Sequence, residues 1–151
     1  MEQSKKYLKL YSVVVLLFAG FTLIQMVLSL IFGDINNATI PEGAPENILD
    51  IAKIVILVIT VLLLLPQVYV GIKGLRVAKK PNASKGHIIW AEILLVLAIL
   101  AAISPIAKII AQGGLYENLS TFFSIVVEIS MFFDYIKYAK AVRKEVLSSA
   151  N

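Results

Sequence analysis

Four stretches of this chain are long and apolar enough to fill a lipid bilayer from one face to the other. A hydrocarbon core about 30 Å thick takes about 20 mostly apolar residues as a helix. Residues 8–32, 48–71, 87–111 and 119–138 each meet that length. The first carries no charge beyond Lys9 at its edge, the second has Asp50 and Lys53 in its first two turns, and the third is interrupted by Glu92 and Lys108. The fourth, with Glu128 and Asp134 inside it, is the least apolar. Together they nearly fill a chain of 151 residues that is 59% apolar and 16% charged, where soluble domains run about 45 to 50% apolar and about a quarter charged. An ordinary water-soluble domain is excluded. The sequence predicts an all-α integral membrane four-helix bundle, one domain over residues 1–151.

A β-barrel is the other architecture that spans a bilayer, but its strands need strict apolar and polar alternation that these runs lack. The first stretch is too long for a signal-peptide core and no A-x-A-type site follows it, so it is expected to stay as a membrane anchor.

Charge gives the orientation. Of fourteen Lys and Arg, twelve fall in three places: Lys5, Lys6 and Lys9; Lys73, Arg76, Lys79, Lys80 and Lys85; and Lys137, Lys140, Arg143 and Lys144. With four spans these places share one side, which the positive-inside rule makes cytoplasmic, so both termini are expected inside a multi-pass cell-membrane protein. Asp34, Glu42, Glu46 and Glu117 then face out. Trp90, Tyr7, Tyr11, Tyr69, Tyr135 and Tyr138 land near the inner interface, where amphipathic rings prefer to sit. The outer loop 33–47 holds two glycines and two prolines and reads as irregular, while Gly113-Gly114 reads as a helix stop followed by Asn118 as an N-cap. Pro81-Asn82 makes the inner turn. Sequons at Asn37, Asn82 and Asn118 carry little weight, one being cytoplasmic and one at the membrane edge.

Two hairpins can be aligned. Ser4-Lys5-Lys6 precedes the first span as Ser84-Lys85-Gly86 precedes the third, and Glu46-Asn47-Ile48 opens the second as Glu117-Asn118-Leu119 opens the fourth. This fits a parallel duplication of helical hairpins, or basic inner flanks that make any two hairpins look alike. Gly71-Ile72-Lys73-Gly74-Leu75, the Lys79-Lys80-Pro81 turn and Tyr135-Ile136-Lys137-Tyr138-Ala139 resemble small four-span membrane proteins of low-GC Gram-positive bacteria. That group has no assigned activity, so the resemblance implies topology and carries over no functional residue.

With no cysteine, disulfides, thiolate metal sites and a cysteine nucleophile are excluded. One histidine, His87, leaves no His-paired metal site or catalytic triad within the chain. No enzymatic activity, metal or cofactor is expected. A membrane enzyme would need a pair such as Glu92 and Asp134 to meet in space.

In hydrocarbon, polar side chains turn toward protein or trapped water, so their helical phase marks each inward face. Thr22, Gln25 and Ser29 share a side with Phe18; Lys53, Thr60, Gln67 and Gly74 recur every seven residues; Glu117, Thr121, Ser124, Glu128, Tyr135 and Tyr138 track one stripe. At a rise of about 1.5 Å per residue, Glu128 and Thr60 fall near the bilayer midplane, where a carboxylate is disfavoured by a few kcal/mol and no cation shares the level. Glu128 is therefore the candidate ion or proton site, with Ser124, Thr60 and Gln67 as neighbours and Glu92 as a cytoplasmic-side relay or gate. The competing reading is a protonated glutamic acid knitting helices together by hydrogen bonds.

Other unusual residues read first as structure. Asp134 is expected to pair with Lys137 or Tyr138, and Glu92 to reach Lys85, His87 or a neighbouring basic helix end. Lys53 and Lys108 read as outer anchors. Pro66 and Pro105 can kink or hinge their spans, and Ala91, Ala98, Ala101, Ala102 and Pro105 offer a small-residue face for close packing. The basic segment Lys73, Arg76, Lys79, Lys80 and Lys85 can meet anionic lipid head groups; nucleic acid is a poor partner because no soluble module presents the charge. The sequence thus predicts a non-enzymatic membrane component that binds lipid, itself as a homo-oligomer, or a larger membrane partner. The alternative is a small transporter or channel centred on Glu128.

Overall fold

The computed structural model describes residues 2–32, 47–112 and 119–149, the side chains at 104, 105, 108–112 and 119–121 excepted. The outer loop with Asn37, the Gly113-Gly114 stop, Glu117 and the Asn118 cap lie outside the described residues, as do the side chains of Pro105, Lys108 and Thr121. The described residues form four α-helices and no strand: α1 (Glu2–Phe32), α2 (Ile48–Lys79), α3 (Gly86–Gln112) and α4 (Leu119–Ser149). Three contain stretches long and apolar enough to cross a membrane, Glu2–Phe32, Ile48–Lys79 and Gly86–Ile103. Helix α4, with Glu128, Asp134, Lys137 and Lys140 along it, is the most polar.

The helices outrun the apolar stretches. α1 begins at Glu2 rather than Leu8, α2 continues to Lys79 rather than Gly71, and α4 runs to Ser149 rather than Tyr138. Apolar run length locates where hydrocarbon-compatible sequence stops, whereas Lys, Arg, Glu and Ala propagate a helix well in water. α2 passes through Pro66 without interruption. The turn between α2 and α3 is held by Asn82, whose side-chain oxygen accepts the Ser84 backbone N–H at 3.1 Å.

α1 packs on α2 and α4, and α3 packs on the same two, so the helices close a ring. The Ser4 hydroxyl donates to Glu145 at 3.0 Å, and Arg143 Nε donates to the Ala83 carbonyl at 3.2 Å. Both chain ends and the 80–85 turn therefore share one end, called the terminal end below. The opposite end, where α1 stops and α2 starts, is the loop end.

The terminal half is densely packed. Gly71 and Gly74 let α2 approach α1: a Cβ at Gly71 would meet Leu16 Cγ at 2.6 Å, and one at Gly74 would overlap the Ser12 hydroxyl and meet the Tyr135 hydroxyl at 2.6 Å. Tyr135 uses that space to cross from α4 and donate to the Val70 carbonyl at 2.9 Å. Around it Leu8, Val15, Val70, Phe132 and Val142 are all but inaccessible. Tyr138 stacks on Tyr7 and Tyr11 at 4.8 and 5.6 Å between centroids.

The loop half is open. Along 54–65 every Ile, Val and Leu except Leu64 is exposed. In water, so continuous an apolar surface would drive association.

Candidate functional site

A cavity of about 390 Å³ lies between all four helices in the loop half. α1 contributes Thr22 and Gln25, α2 Thr60 and Gln67, and α4 Ser124 and Glu128, each pair spaced to fall on one helix face. α3 contributes Ala98 and Ala101, whose small side chains leave the interior unfilled. Phe18, Phe21, Leu63 and Leu97 complete an apolar wall.

The hydrogen bonding of these groups sets what the cavity can hold. The Thr22 hydroxyl donates to the Phe18 carbonyl and the Thr60 hydroxyl to the Ile56 carbonyl, both at 2.9 Å. A hydroxyl has one proton to give, so each threonine offers only acceptor capacity to a guest. Gln67 is 6% exposed, and its Nε2 has no hydrogen-bond partner. Leaving such a donor unpaired costs about 1 to 3 kcal/mol, which a water or a ligand oxygen removes. Glu128 is half-buried and, among the described residues, has no ion-pair partner. The chamber therefore presents one acidic group and several acceptor oxygens beside the donors of Ser124, Gln25 and Gln67, a set suited to a positively charged guest at Glu128. Past Gln67 it gives way to the dense packing of Val70 and Gly74 against Tyr135 and of Gly71 against Leu16.

Four sequence candidates, Glu128, Ser124, Thr60 and Gln67, meet in this one chamber. Glu92 does not join them. Its carboxylate lies 2.6 Å from Lys140 Nζ, with 44% and 59% of the two side chains exposed, so it sits outside the chamber wall and pairs with a lysine inside the neighbouring helix α4. Asp134 forms no ion pair with Lys137, which lies 5.5 Å over the Tyr138 ring instead, and the Tyr11 hydroxyl of α1 lies near it. Glu92 and Asp134 thus have different neighbours. Tyr135, on the inward stripe of α4, is wholly buried where the glycine gap on α2 admits it. Lys73 is half-buried, and Arg76, Lys79, Lys80 and Lys85 are exposed around the terminal end.

Two residues of the chamber were not among the candidates, Thr22 and Gln25. Their stripe with Phe18 on α1 was the available signal, and what it lacked was the knowledge that α1 borders α4. His87 is a second feature with no sequence signal. It is 1% exposed, its ring stands edge-on to Tyr135 at 6.1 Å, and neither ring nitrogen has a hydrogen-bond partner. Comparison with protein-family models, with curated proteins and with solved structures finds no match to this chain.

Proposed function

We propose that this chain is a multi-pass membrane protein whose four helices all cross the bilayer as a bundle, and that it binds and carries a small solute in the chamber centred on Glu128. The observation that carries the reading is the convergence of Glu128, Ser124, Thr60 and Gln67, with Thr22 and Gln25, on one cavity of about 390 Å³. Ligand sites run from about 300 to 1,000 Å³ and combine mostly apolar walls with a few convergent polar groups. Lipid covers the exposed aliphatic face of residues 54–65. α4 crosses with the others because it packs along α1 and α3 and turns Glu128 inward. The terminal end, ringed by Lys and Arg, is cytoplasmic.

The dense terminal half favours a carrier over an open channel, since Tyr135, Phe132 and Val70 fill the axis between the chamber and the terminal end. The test is flux in proteoliposomes carrying imposed gradients of protons, alkali cations or organic amines. Wild type should show flux that Glu128→Gln abolishes and Glu128→Asp partly retains. Equal flux from wild type, Glu128→Gln and empty liposomes would reject the carrier and leave the accessory or assembly role, with basic segments on anionic lipid or a protein partner.

A further inference from the structure

We propose that the chamber's ligand is a small primary organic ammonium with an apolar body, the ammonium on Glu128 and the acceptor oxygens of the threonines, the body against Phe18 and Phe21. The inference rests on the carrier reading and narrows its substrate class. Three observations lead to it. First, the chamber is about 390 Å³, more than ten times the ~30 Å³ share of one water molecule, so a proton or a bare metal cation would leave it largely unfilled. Second, its one charged group is acidic and both threonines offer only acceptor oxygens. Thr22 and Thr60 have spent their hydroxyl protons on the Phe18 and Ile56 carbonyls, and Glu128 finds no cation among the described residues. An ammonium group brings the missing charge and up to three donors, whereas a quaternary nitrogen brings charge alone. Third, most of the wall is apolar and two rings line it; an aromatic face adds attraction for a cation brought close to it, and an alkyl or aryl body fills the volume that an inorganic ion cannot.

Gln67 is the independent sign that something belongs there. Its amide nitrogen is buried in the chamber wall without a partner, so an oxygen must meet it when the site is filled. A water serves beside a simple amine, and an amine bearing a hydroxyl or carbonyl serves directly.

The experiment measures binding of 2-phenylethylamine to the full chain in nanodiscs, alongside 2-phenylethanol as its neutral counterpart, 3-phenylpropionate as an anion, and Na⁺ and K⁺. Only the component lost in Glu128→Gln is counted, which removes partitioning into lipid. Thermal unfolding of Glu128→Gln close to wild type shows that the variant is folded, and Glu128→Asp provides a second folded reference that should keep measurable binding. The expected result is saturable amine binding weakened at least ten-fold by Glu128→Gln, with the alcohol and the acid showing no Glu128-dependent binding. Glu128-dependent binding of Na⁺, K⁺ or the alcohol without the amine would overturn this ligand class and leave the carrier standing. Absence of Glu128-dependent binding for every probe overturns both.

Discussion

Along α1 from Leu8 to Ala19, and along α2 from Gln67 to Val77, a buried residue recurs every one to four positions; from 20 to 32 on α1 and from 48 to 65 on α2 none is buried. The same four helices produce both halves, so the contrast comes from side chains. In the terminal half Gly71 and Gly74 bring backbones together and a tyrosine fills the gap. In the loop half polar groups point inward opposite alanines, and the space between them stays open. Dense packing where small residues meet large ones, and a chamber where small residues meet polar ones, follow from complementarity and not from hydrophobicity alone.

The strongest way to break this contrast is truncation in each half. Tyr135→Ala removes a fully buried ring and its bond to Val70, and should cost about 3 to 5 kcal/mol. Leu62→Ala removes a mostly exposed side chain of the loop half and should cost under about 1 kcal/mol. Thermal unfolding in mild detergent compares them, and equal losses would erase the distinction between halves. Tyr135→Phe sharpens it by keeping the ring and deleting only the hydroxyl, at an expected cost of about 1 kcal/mol; a loss as large as that of Tyr135→Ala would mean that the hydrogen bond, and not packing, holds this half. The smallest effect should come from Lys140→Met. Its pair with Glu92 is partly exposed, and pairs of that kind contribute about 0 to 1 kcal/mol that salt screens away. An unfolding temperature that falls by as much as in Tyr135→Phe would promote Glu92 from a surface pair to a structural tie.

Helix number and type were legible because apolar run length is a local property. Helix ends were less so: residues 139–149 carry charge that ends an apolar run yet suits a helix in water. The chamber was legible in part. Glu128 with Ser124 on α4, and Thr60 with Gln67 on α2, declare themselves by helical phase, and these pairs meet. Thr22 and Gln25 form an equally regular stripe on α1, but a stripe does not say which helix it faces. Helical phase put Tyr135 on the inward stripe of α4, but not the gap at Gly74 that admits its ring. Asp134 showed a similar limit, because the Tyr11 hydroxyl near it belongs to α1 and no local spacing points to it.

The chain has no cysteine, so a single introduced thiol reports its own environment. Membrane-impermeant cationic methanethiosulfonate added outside intact cells should modify Thr60→Cys in the chamber, leave Ser12→Cys in the terminal core unmodified, and reach Ser149→Cys only after permeabilisation. An inert Thr60→Cys, or a Ser149→Cys that reacts in intact cells, would contradict an outward-facing chamber in a protein whose two ends both lie in the cytoplasm.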